Sequence, residues 1–162
     1  MLRTLAALMT MTIAAAAEEA KPLTYGDMIN ATGAITSMDP RPGKDGRLEP
    51  SPYKFSPATR MTLGRVVDIG NTIVASFNKG ILALDAKLEI KPGSEVPPDK
   101  RADFEAERQK LLDTPAFVQP PRVKMADLCL EARPPDCPVA NEIPFSTLAL
   151  LKPVIADWAA GK

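Results

Sequence analysis

Cys129 and Cys137 enclose the stretch LEARPPD, and they are the only cysteines in a chain of 162 residues that has no histidine. Two thiols this close across a Pro-Pro turn read as a disulfide if the chain folds in an oxidising compartment. Closing such a loop stabilises by about 2.5 kcal/mol on chain-entropy grounds. Two free thiols or a partial metal site are the alternatives, but a metal site needs further ligands, and with no histidine and no third cysteine that reading is weak. The lack of histidine also removes the usual base near neutral pH, the Ser-His and Cys-His nucleophile pairs, and the commonest transition-metal ligand. Any catalysis must therefore rest on carboxylates, lysine, tyrosine or the backbone.

The remaining polar groupings are weaker. Asp103 and Glu107 stand one helical turn apart, as an acid pair or divalent-cation site requires. A solvated helix face explains them equally well and is far commoner. Asp127, Glu131 and Asp136 gather near the cysteine loop and read as solvated turn residues. Ser146 and Thr147 with Lys152 have the composition of a Ser-Lys hydrolase but no recognised nucleophile spacing, and Ser146 reads as a helix N-cap. GRVVDIG lacks both P-loop and dinucleotide spacing, so Gly64, Gly70 and Gly80 are read as points of close helix approach. No catalytic residue, cofactor or metal ligand is assigned. Tyr53 and Phe55, alternating about Lys54, form the candidate interaction surface.

The elements that must position these residues begin after an address. Arg3 precedes an uncharged run from Thr4 to Ala17, with Ala15 and Ala17 in the two small positions before Glu18. This is the pattern of a secretory signal peptide over 1–17, cleaved before Glu18. The run is too short to span a bilayer, which takes about 20 apolar residues. A buried helix is the competing explanation. Residues 18–162 have the size of one ordinary domain. Twenty basic and twenty acidic residues cancel, and eight aromatics are few. Nucleic acid and anionic membranes are thus poor partners, and another protein is the default.

Thr24 with Asp27 forms a capping pattern for a helix over 25–38. Prolines 40, 42, 50 and 52 make 39–56 a long loop, either functional or mobile, whose far end Tyr53 and Phe55 pin to the core. Ser56 and Pro57 then start a helix whose apolar stripe runs Leu63, Val66 or Val67, Gly70, Ile73 or Val74, Phe77, Ile81, Leu84 and Leu88. A second helix carries Phe104, Leu111 and Leu112, so the expected core is a long antiparallel hairpin joined through 91–98. AFVQPPRVKM predicts a small β element, and IPFSTLALLKPVIADW predicts a C-terminal helix interrupted at Pro153. The expected fold class is α+β, predominantly helical. Joint exposure of Met61, Val67 and Phe77 would instead make the long helix a dimerisation surface.

The succession LTYGDMINATGAI, YKFSPATRMTLGRVVDIGNTI, DFEAERQKLLDTPAFVQ and IPFSTLALLKPVI resembles a group of small phage and prophage proteins of unknown function, over about residues 22–155. Members begin close to the position of Leu23, which implies that the first twenty or so residues are an addition. The group brings no catalytic residues. The expected function is an exported, phage-derived protein-interaction protein of the periplasm or the secreted fraction, without stable membrane insertion after processing. The alternatives are a cytoplasmic phage accessory or assembly factor and, more remotely, a His-free carboxylate hydrolase.

Overall fold

The computed structural model describes residues 22–158 apart from 43, 44, 46 and 92. The export segment expected over 1–17 lies outside the described residues. The fold is predominantly helical, with α1 at Tyr25–Ser37, α2 at Pro57–Lys87, α3 at Arg101–Leu112 and α4 at Phe145–Leu151. Single 3-10 turns occupy Met125–Leu128 and Lys152–Val154.

Local chemistry accounts for the helix starts. The Thr24 side chain accepts from the Asp27 N–H at 3.2 Å, while Asp27 Oδ2 accepts from the Thr24 N–H at 3.0 Å, a reciprocal capping box. At α2, Ser56 Oγ accepts from the Thr59 N–H at 3.1 Å and Pro57 takes the first helical position, where a missing N–H costs nothing. At α4 the sequence expectation fails. Pro144, not Ser146, is the N-cap residue and provides no side-chain cap, leaving Ser146 exposed within the first turn.

The core forms where α1 lies antiparallel against α2. Thr32 of α1 sits directly on Gly70 of α2, while Ile35 and Met38 at the end of α1 reach the level of Leu63. Met28, Val66, Ile73, Leu128, Leu151 and Val154 are its largest fully buried side chains. The stripe read from the sequence resolves to Val66 and Ile73 rather than Val67 and Val74. The expected hairpin is formed but is not the core. Lys87 pairs with Glu107 at 3.8 Å and Lys100 Nζ donates to the Leu88 carbonyl at 2.6 Å, so α3 runs antiparallel to the end of α2. Yet α3 buries no residue completely, because Phe104, Leu111 and Leu112 are its only large apolar side chains. Gly80 admits Leu111 closely; a Cβ there would lie 3.0 Å from a Leu111 methyl.

The small β element expected around Pro120 and Pro121 is absent. Val123 makes one backbone bridge to the C-terminal segment, its N–H donating to Val154 O at 2.9 Å and its carbonyl accepting from the Ala156 N–H at 2.8 Å. The two prolines before it have no N–H with which to extend a ladder. Beyond such bridges, extended pairing among the described residues is confined to two residue pairs, Arg41–Pro42 against Leu48–Glu49, inside the proline-rich segment. Pro153 ends α4 and leaves a 3-10 turn that still buries Val154 and Ile155.

The end of α2 offers a test. Ile90 N–H donates to Asp85 O at 2.8 Å and Glu89 N–H to Ala86 O at 3.2 Å, the double bond pattern of a Schellman cap. Its left-handed position is held by Glu89, with φ 53°. Glycine occupies that region without steric cost, so Glu89→Gly is expected to stabilise by about 0.5–1 kcal/mol. A higher urea midpoint at unchanged slope checks it.

Glu107 supplies a second test. Its hydrogen bond from Lys110, then the charges of Lys110 and Lys87, hold its carboxyl below the ordinary 4.5. A lowered folded value means the ionised form stabilises above the unfolded value, and that contribution is lost as pH falls through the folded one. The difference in urea midpoint between the native chain and Glu107→Gln should be present near neutral pH and shrink as pH falls below the ordinary carboxylate range and through the lowered folded value. A pH-independent difference would contradict this assignment.

Candidate functional site

Tyr53 and Phe55 lie on the wall of a cavity of about 520 Å³ between the end of α1, the first turns of α2 and the segment 50–55. Volumes of this order are typical of sites that take a compact ligand or an anchoring side chain. The two rings stack, with centroids 6.2 Å apart and planes 19° from parallel, and both are half-buried against the core. The far end of the proline-rich loop is therefore pinned as the sequence predicts, and its pinning creates a groove. Leu63 and Val67 of α2 complete the apolar floor.

That wall is fastened at both ends. Ser51 Oγ donates to the Met38 carbonyl at 2.6 Å, where α1 ends, and accepts from the Tyr53 N–H at 3.2 Å. At the other end Asn141, only 4% exposed, holds Lys54 through both backbone groups. Its Oδ1 accepts from the Lys54 N–H at 2.7 Å and its Nδ2 donates to the Lys54 carbonyl at 3.0 Å. The same Nδ2 donates to Leu128 O at 2.9 Å, and the Asn141 N–H donates to Cys129 O at 2.6 Å. One amide thus ties the groove wall to the cysteine loop. Only this orientation of the amide matches one donor and two acceptors.

Cys129 and Cys137 stand at disulfide distance, with Cα atoms 5.3 Å apart, and both are buried. The polar rim of the groove carries Asp39, Lys54, Arg60 and Asp68. None of the four side chains forms an ion pair or hydrogen bond among the described residues.

The other acids are not gathered into a site. Glu107 is engaged by Lys110 at 2.9 Å and by Lys87, with Asp103 exposed a turn away. Glu131 pairs with Arg133 at 2.8 Å, while Asp127 and Asp136 are exposed. Among the described residues no three metal-ligating side chains come together. Of the residues considered for a dimer face, Met61 is 63% exposed, but Val67 and Phe77 are half-buried, so the condition is not met. No described helix is long and apolar enough to cross a membrane.

Asn141, Ser51 and Arg60 are not legible in the sequence as site residues, because nothing local marks a side chain whose partners lie far along the chain. Gly64 carries a signal, but one that reads as helix approach. A Cβ there would meet nothing within 4 Å, and the residue lines the groove instead. No family model matches the chain, and neither a curated protein nor a solved structure matches it.

Proposed function

We propose that this chain is an exported, phage-derived protein-interaction module that receives its partner in the groove between α1, α2 and the segment 50–55. The observation that carries this reading is an apolar, aromatic-walled groove fastened at both ends and rimmed by four unpaired charges. A rigid concavity lowers the ordering cost of binding, and a mixed rim favours a polar, protein-like partner. Export draws support from the leader pattern of 1–17 and from a cysteine pair whose spacing is compatible with an oxidising compartment. The phage origin rests on the resemblance carried by four segments between Leu23 and Ile155.

The test expresses the full chain in a Gram-negative host with p-benzoylphenylalanine at Tyr53, or at exposed Leu82 as control, followed by illumination and fractionation. The expected result is a discrete adduct from position 53 in the periplasm, on a chain that starts at Glu18 and gains the mass of two hydrogens on reduction. Equal labelling from both positions would overturn the groove as the interaction surface. A full-length cytoplasmic chain with free thiols would overturn export and favour a phage accessory factor.

A further inference from the structure

The floor of the groove has a feature that packing does not explain. Gly64 lies in the interior of α2, where glycine is a poor helix former, yet a Cβ there would touch nothing within 4 Å. Gly33 is equally open but does not line this groove, so it is the placement of Gly64 that matters. It lowers the floor midway between two unpaired charges on the same helix, Arg60 and Asp68, each four residues away. Eight residues of helix put the two backbone positions about 12 Å apart along the axis. Lys54 adds a second cation near the start of α2, and Asp39 a second carboxylate at the end of α1.

Resting on the protein-interaction reading, we infer that the groove takes an extended segment of a partner protein in which a large apolar residue lies midway between an acidic and a basic residue four positions apart, so that all three side chains share one face. An extended chain advances about 3.3 Å per residue, so four positions cover about 13 Å, close to the axial spacing of Arg60 and Asp68. The apolar side chain descends over Gly64 toward Phe55 and Val67, the acid meets Arg60 and the base meets Asp68. Strand addition is not the mode, since Asn141 already occupies both backbone groups of Lys54, and Pro50 and Pro52 have no N–H. A fatty acid would satisfy Arg60 but set its apolar end against Asp68.

The experiment pans a displayed library of random dodecapeptides on the folded, oxidised chain and measures the enriched sequences, as labelled synthetic peptides, by fluorescence polarisation. Enriched peptides should share the acid, apolar, base pattern at that spacing. Their affinity should fall at least about tenfold on Gly64→Trp, which fills the floor from a position with open space around it, and about tenfold on Arg60→Glu. Both variants should keep the native urea midpoint to within a small shift, and Gly64→Ala provides a second, milder filling if the tryptophan does not fold. Peptides blocked by filling at Gly64 but without paired charges would overturn this inference and leave the groove reading intact. Peptides indifferent to Gly64 would overturn both.

Discussion

Valine in place of Gly70 is expected to cost about 3 kcal/mol or more, enough to remove much of the stability of a domain this size. The Cβ it introduces would fall on Oγ1 of Thr32 and within 2.9 Å of that residue's own Cβ, at the centre of the contact between α1 and α2. Both residues are buried and neither helix can retreat without opening the core. Thr32 also carries the only buried side-chain polar atom among the described residues that lacks a hydrogen-bond partner. Thr32→Ala should therefore be close to neutral alone, since it loses a methyl contact and an unsatisfied hydroxyl together. Combined with Gly70→Ala it should recover most of what Gly70→Ala loses, with a coupling of about 1–2 kcal/mol in a double-mutant cycle. Strict additivity in urea unfolding would show that the two helices do not meet through this pair.

Asn141→Ala should cost about 3 kcal/mol, by leaving the Lys54 N–H, the Lys54 carbonyl and the Leu128 carbonyl without the partners they now have. The more informative substitution is Asn141→Asp, which keeps the size and the acceptor for Lys54 N–H. It replaces the donor with a carboxylate oxygen facing the Lys54 and Leu128 carbonyls, and it buries a charge where a neutral amide stood. It should destabilise at least as much as alanine at neutral pH and less in acid, where the protonated carboxyl can donate again. Urea unfolding at both pH values reads this directly. Photo-crosslinking from position 53 should weaken in the same variants, because the wall that presents the ring is no longer held.

The contrast between these residues explains which parts of the structure the sequence discloses. Thr24 with Asp27 and Ser56 with Pro57 act within one turn, so their spacing announces the helix starts, and the stripe from Leu63 to Leu84 announces the buried face of α2. Which helix answers that stripe is a tertiary matter. The α3 sequence has good helix formers but too little apolar surface, and α1, with Met28, Ala31 and Ile35, fills the role instead. Pro120 and Pro121 mark an interruption correctly, yet the extended pieces around them find only isolated bridges, at Pro115 with Thr24 and at Val123 with Ile155. In the site, Tyr53 and Phe55 are legible as aromatics in a proline-rich stretch. Asn141 is not, because an asparagine in a loop looks the same whether it is solvated or buried with every hydrogen bond made.

The bond between Asn141 and Lys54 joins positions 87 apart, and so sets an order of assembly. α1 and α2 are neighbours in the chain and can pair as soon as both have been made. The groove's outer wall has to wait for residue 141, which emerges late in synthesis and is itself bonded to the carbonyl of Cys129. A copy that is unfinished, or whose cysteine loop has not closed in its native form, lacks the anchor that shapes the site. The shape of the groove is thereby tied to residues made late, so a truncation anywhere before residue 141 would leave α1 and α2 able to pair but the wall at 50–55 without its anchor.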